Sequence, residues 1–219
     1  MTGPRPALVL DFGGPVLITP FELTARAEAR LGLPPGALPW RGPFGHDPQW
    51  RDVLSGTLSE RGYWARRADE FAAMTGCPAG TREMISTLYT GDSEDFLVRD
   101  GARALMADAR AAGLPVGILT NDLAAFHRPE WVSALRVLHL ADSVVDGSLV
   151  GMLKPDPRIY QLMADRLGVP AGGVVFLDDQ PVNVAGGRAA GMTAVQVDVT
   201  RPGEAFGQAR ALLGLPPAR

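Results

Sequence analysis

The residues of this chain that could do chemistry sit beside short apolar runs, and their types fit together. Asp11 closes LVLD within LVLDFGGPVL, Thr120 and Asn121 close GILTN, and Asp178 and Asp179 close VVFLDD, while Lys154 adds a cation from GMLKPDP. Three carboxylates gathered at one place repel, and each raises the others' pKa unless a cation lies among them. With no His or Cys beside them, these oxygen donors suit a hard divalent ion such as Mg²⁺ better than zinc. A metal and a lysine would neutralise phosphate oxygens, and a threonine hydroxyl would donate to one of them. That set suits phosphoryl transfer, with Asp11 as the natural nucleophile.

Such groups converge only if the fold brings them to one edge. The runs ALVLDFGG (Ala7 to Gly14), LPVGILTND (Leu114 to Asp122), SVVDG (Ser143 to Gly147) and VVFLDDQP (Val174 to Pro181) are apolar without alternation, as strands covered on both faces are. Between them, GARALMADARAAG, RIYQLMADRLG and NVAGGRAAG carry helical patterns that close at Gly113, Gly168 and Gly191. Strand alternating with helix predicts an α/β, Rossmann-like parallel sheet. Ligands of such sheets bind outside the carboxyl ends of the strands, where these acids fall.

Residues 18–92 read differently. They are rich in Pro, Gly, Trp and Arg around LGLPPGALPWRGPFGHDPQW, continue into amphipathic stretches such as SERGYWARRADEFAAM, and contain no buried-strand run. The expectation is a small inserted helical domain at 18–92, with the core formed by 1–17 and 93–219 and closed by a helix in GEAFGQARALLGLPPAR.

A chain of 219 residues that is 46% hydrophobic can bury a sizeable core. Its formal charge of -3, without a Lys/Arg run, gives no footprint for nucleic acid or an anionic membrane and favours a small-molecule partner. The lone Cys77 makes no internal disulfide. MTGPRPALVL lacks the features of a signal peptide, and no run approaches the roughly 18 apolar residues of a membrane helix, so a cytoplasmic protein is expected. Nothing in the pattern reads on oligomeric state.

Taken in order, LVLDFGGPVL, GILTND, GMLKPDPRIY and VVFLDDQPVNVAGGRAAGM resemble the four motifs of the haloacid dehalogenase-like (HAD) hydrolase superfamily, and the insertion falls where its type one helical caps fall. The resemblance implies that Asp11 is both nucleophile and metal ligand, with the Gly13 carbonyl as a second ligand. It implies that Thr120 and Lys154 hold the phosphoryl oxygens, with Asn121 at the same substrate site, and that Asp178 and Asp179 hold Mg²⁺. Asn183 would support that acidic loop. One position departs from the pattern: most phosphatases of the superfamily carry a second Asp two residues after the nucleophile, to protonate the leaving group and activate water, and here that position is Gly13.

A positioned acid or base is worth about 10²- to 10⁴-fold in rate. Asp122, His127, His46 and Asp47 are the residues that could replace it, though no motif places them. The expected function is Mg²⁺-dependent hydrolysis of a small phosphorylated metabolite through an aspartyl-phosphate. A 2-haloacid dehalogenase also lacks the second Asp but needs no acidic pair, and a catalytically silent HAD-like binding protein is the remaining alternative. His46, His127 and His139 read as surface or packing residues, Cys77 as no nucleophile, and Trp40, Trp50, Tyr63 and Trp64 as the core of the insert. The loop from Pro39 to Asp47 would close over the site and choose the substrate.

Overall fold

A computed structural model describes residues 6–218. Residues 1–5, the start of the segment read for signal-peptide features, lie outside the described residues, as does Arg219.

Five strands, β1 (Ala7–Leu10), β2 (Val116–Thr120), β3 (Ser143–Asp146), β4 (Val174–Asp178) and β5 (Thr193–Gln196), form one parallel sheet in the order β3-β2-β1-β4-β5. The first apolar run is thereby central, with Leu10 opposite Ile118 of β2 on one side and Leu177 of β4 on the other. Every residue of β1, β2 and β4 is buried. The fifth strand has no counterpart in the sequence reading: TAVQ buries only Ala194 and Val195 and exposes both ends, as a short edge strand does.

Between β1 and β2 the chain makes helices α1 (Pro20–Leu31), α2 (Pro48–Leu54), α3 (Glu60–Thr75), α4 (Thr81–Tyr89), α5 (Glu94–Leu97) and α6 (Asp100–Ala111). Short helices α7 (Leu123–Phe126) and α8 (Pro129–Ser133) precede β3, and α9 (Gly147–Val150) and α10 (Pro157–Leu167) follow it. Helix α11 (Pro181–Ala189) joins β4 to β5, and α12 (Pro202–Leu213) ends the chain. The glycines that close α6, α10 and α11 in the sequence, Gly113, Gly168 and Gly191, all take positive φ.

Alternation along β1 divides the core. Ala7 and Val9 pack with Ile159, Tyr160 and Met163 of α10 and Val184 of α11. Leu8 and Leu10 face the other way, toward Leu105 and Met106 of α6 and Phe206 of α12. That second layer runs on into the insert, where Phe21, Trp50, Tyr63 and Trp64 form an aromatic knot with ring centroids 4.8 Å (Phe21–Trp50), 5.2 Å (Trp50–Tyr63) and 5.0 Å (Tyr63–Trp64) apart. The chain leaves and returns through adjacent backbone: Leu17 bridges Val98 antiparallel, Ile18 donates to the Leu97 carbonyl at 2.8 Å, and Arg99 donates to that of Val16 at 2.9 Å. No helix of the described residues is long and apolar enough to cross a membrane.

Candidate active site

Asp11 directly follows β1, and its N–H donates to the Leu177 carbonyl at 2.8 Å, so the ladder with β4 continues one residue past the strand. Thr120 ends β2 and Asp178 ends β4, the strands flanking β1. All three therefore emerge together at the carboxyl edge of the sheet. Lys154 comes from the loop after α9 and inserts Nζ between two acids, 2.9 Å from Asp11 Oδ1 and 2.6 Å from Asp178 Oδ2, with the three side chains buried.

Neighbouring groups fix this cluster. Asn121 grips the Lys154 backbone with both ends of its amide: Oδ1 accepts the Lys154 N–H at 2.7 Å, and Nδ2 donates to the Lys154 carbonyl at 3.2 Å. Asn121, a residue expected at the substrate, thereby also holds the lysine. Asp178 Oδ1 accepts from the Gln180 N–H at 2.8 Å and from Asn183 Nδ2 at 3.2 Å. Asp11 Oδ1 accepts from Lys154 and from the Phe12 N–H at 2.7 Å, whereas Oδ2 has no protein donor among the described residues. Gly14 is required by close approach: at φ +89 an added Cβ would stand 2.8 Å from Asp179 Cγ. Arg99 secures the same turn by donating Nε to the Gly14 carbonyl at 2.6 Å while binding Glu22 of α1.

Asp11, Asp178 and Asp179 each place a carboxylate oxygen within 4.8 Å of the others. The Asp11 carboxyl is raised from 3.8 to about 7, by burial above all, with Lys154 opposing the rise and the Asp178 charge adding to it. Asp179 is raised well above the ordinary carboxylate range, first by burial and then by Asp178 and Asp11. Burial disfavours the charged Lys154, but the two carboxylates more than offset it, and the ammonium is held more firmly than usual. With all three carboxylates ionised, one ammonium leaves two negative charges on hard oxygen donors, a set that fits a small divalent cation such as Mg²⁺.

A cavity of about 100 Å³ opens above this edge, between the sheet and the insert. Asp11, Gly13, Thr120, Asn121 and Asp179 form its floor, and Phe21, Trp50, Trp64, Tyr89 and Phe126 contribute aromatic walls. Among the described residues no Lys or Arg lines it. Only Pro43 of the Pro39 to Asp47 loop reaches it. Asp47 is instead consumed inside the insert, accepting from Tyr63 Oη at 2.6 Å, from the Trp50 N–H at 3.1 Å and from the Gly42 N–H at 3.2 Å. His127 lies at the cavity, stacked on Trp131 at 4.3 Å, and burial drops its imidazole to about 4. Asp122 lies there too, paired with Arg61 at 2.5 Å.

One cavity acid was not singled out in the sequence. Glu60, the first residue of α3, is half-buried and faces the same space as Asp11 and Gly13. Its Oε1 accepts the Trp64 indole N–H at 3.2 Å. Burial raises its carboxyl, the indole lowers it, and the Asp178 and Asp122 charges raise it further.

A family model described as haloacid dehalogenase-like hydrolase matches residues 57–191, more than half of the chain. The chain belongs to the haloacid dehalogenase-like hydrolases. Within that family it is similar to the phosphoserine phosphatase of Thermus thermophilus, 30% identical over 81% of this chain and 74% of that protein. It is also similar to Phosphatase MT3486 of Mycobacterium tuberculosis, 39% identical over 44% of this chain, a match that spans only 45% of that relative's length. Among solved structures, the L-2-haloacid dehalogenase RSc1362 shares the fold with a TM-score of 0.58 at 24% identity, over 89% of this chain and 86% of that one. A HAD family enzyme of Bacteroides thetaiotaomicron, in complex with magnesium and inorganic phosphate, has a TM-score of 0.54 at 16% identity, over 90% and 96% of the two chains.

Proposed function

We propose that this HAD-like hydrolase is a Mg²⁺-dependent phosphohydrolase of small phosphate monoesters, working through a phosphorylated Asp11, with residues 18–92 as the cap that receives the leaving group. The observation that carries the reading is the Lys154 ammonium seated between Asp11 and Asp178 with Asp179 beside them. A carbon-attacking dehalogenase has no use for that surplus of carboxylate.

The residues divide the work as follows. Asp11 attacks phosphorus, its carboxylate held rigidly by the strand end so that little reorganisation precedes the reaction. Thr120, buried at the cavity floor, donates its hydroxyl to a phosphoryl oxygen, and Lys154 neutralises charge on the phosphoryl group. Asn121 keeps the lysine in register. Asp11, Asp178 and Asp179, with the Gly13 carbonyl, would hold Mg²⁺, which when bound supplies positive charge to the phosphoryl oxygens. The aromatic cavity, lined by no Lys or Arg among the described residues, suits a leaving group that is small and carries no second negative charge.

The test is phosphate release from p-nitrophenyl phosphate and acetyl phosphate, with Mg²⁺ or EDTA, by wild type and Asp11→Asn. Release that needs both Mg²⁺ and Asp11 is expected. Halide release from a 2-haloacid, unaffected by EDTA, would replace this reading with dehalogenation.

A further inference from the structure

Cleaving an ester of a poor leaving group needs a proton delivered to the departing oxygen, and the position two residues after Asp11 holds a glycine without a side chain. The cavity itself narrows the donors. Asp11 and Asp179 belong to the acidic cluster, and Asp122 is paired with Arg61. Tyr89 spends its hydroxyl proton on the Ile18 carbonyl at 2.6 Å. His127 is neutral, buried and stacked on Trp131. Glu60 remains, and it is positioned as a working group would be. Ser59 caps α3 by accepting the Gly62 N–H at 3.1 Å, and Arg61 ties the same turn to the β2 edge through Asp122, with Nε to Oδ1 at 2.9 Å. Trp64 orients the carboxyl through Oε1, which leaves Oε2 without a protein partner among the described residues.

Building on the phosphohydrolase reading, we propose that Glu60, reaching down from the insert, is the general acid and base that Gly13 does not provide. As the Asp11 oxygen bonds to phosphorus, the bond from phosphorus to the leaving oxygen breaks, its electron pair stays on that oxygen, and the Glu60 proton moves to it. Glu60, now a carboxylate, then takes a proton from water as the water oxygen attacks the phosphorus of phospho-Asp11. The bond to Asp11 breaks, orthophosphate leaves, and Glu60 is again protonated. The raised Glu60 carboxyl agrees with the role, since burial favours the protonated form needed at the start. Gly13 offers an internal control: its φ lies outside the left-handed region, and an added Cβ would meet nothing within 4 Å. An Asp placed there has room at the same cavity.

The experiment compares benzyl phosphate, with a poor leaving group, and p-nitrophenyl phosphate, with a good one, in wild type, Glu60→Gln and Gly13→Asp/Glu60→Gln, all with Mg²⁺. Glu60→Gln is expected to lower kcat on benzyl phosphate by about 10²- to 10⁴-fold. First-turnover release of p-nitrophenol should fall less than about tenfold, because that step needs little protonation. Slow hydrolysis of phospho-Asp11 should then show as a burst, and Gly13→Asp should restore benzyl phosphate turnover at least about tenfold. Glu60→Asp, which keeps the charge but withdraws the acid by one methylene, serves as the second variant if Glu60→Gln folds poorly, with the same selective loss expected. Equal losses of first-turnover leaving-group release on both substrates, or no loss on either, would overturn the assignment of Glu60 while leaving the function standing if Asp11→Asn still abolishes release. Release by Asp11→Asn at the wild-type rate would overturn both.

Discussion

Magnesium should stabilise this protein strongly at pH 8 and weakly at pH 5, because the candidate metal ligands are also the groups whose ionisation is most opposed by the fold. Asp11 titrates near 3.8 when unperturbed and near 7 in the folded protein. Between about pH 4 and pH 7 the folded chain therefore keeps a proton that the unfolded chain has lost. Stability contributed by that proton is complete below the unfolded value and is lost as pH rises through the folded one. Ionising Asp11 in place opposes folding by up to roughly 4 kcal/mol, a cost fully present above about pH 7. Asp179, raised in the same direction, adds to it.

A cation that binds the ionised cluster opposes this loss. At free Mg²⁺ about 100-fold above its Kd the gain is about 2.7 kcal/mol, which for a chain of this length raises Tm by about 5–10 °C. At pH 5 the same binding must first expel protons from Asp11 and Asp179, at about 1.4 kcal/mol per pH unit per proton, so the gain should shrink to about 2 °C or less. Differential scanning calorimetry in Mg²⁺ and in EDTA at both pH values reads this directly, with Asp178→Asn as the variant that should lose the difference. A shift of equal size at pH 5 and pH 8, or none at pH 8 in millimolar Mg²⁺, would refute the argument that these carboxylates form a cation site.

Gly14→Ala should place a methyl against the Asp179 carboxylate in a left-handed conformation, costing about 1–2 kcal/mol and reducing the Mg²⁺-induced rise in Tm; an unchanged rise would show that Asp179 does not need its present position. Lys154→Met removes the cation shared by two buried carboxylates, so it should destabilise the Mg²⁺-free protein by about 3–5 kcal/mol in chemical denaturation and abolish phosphate release. A smaller loss would mean that the acids neutralise themselves by protonation. Because no Lys or Arg lines the cavity among the described residues, phosphoglycolate and phosphoserine, whose leaving groups carry a carboxylate, should show kcat/KM at least about tenfold below benzyl phosphate; the reverse order would show that the cavity recruits a cation when substrate binds.

The parts of this site that were legible in the sequence are those where the strand itself delivers the residue. Unbroken apolar runs marked β1 to β4, and in a parallel sheet a residue that follows such a run must emerge at the carboxyl edge, which is why Asp11, Thr120 and Asp178 fall together. The fifth strand escaped because Thr193 and Gln196 are exposed and two buried residues make no run. Asn121 was legible as a polar residue at a strand end. Its grip on Lys154 was not, because it joins segments 33 residues apart.

Glu60 shows where the same reasoning stops. An acid directly after Ser59 at the start of α3 is what helix capping and the helix dipole favour anywhere, so its local pattern is indistinguishable from that of a solvent-facing residue. Its place is set by a contact that periodicity does not encode, the Arg61 to Asp122 link between the insert and the β2 edge, 61 residues away. Asp47 illustrates the converse: in sequence it stood as a loop acid free to serve the site, and in the fold Tyr63, Trp50 and Gly42 claim its oxygens. An insert can supply chemistry to a sheet edge only through side chains left unspent by its own packing, and of Asp47 and Glu60 only Glu60 faces the cavity with an oxygen to spare.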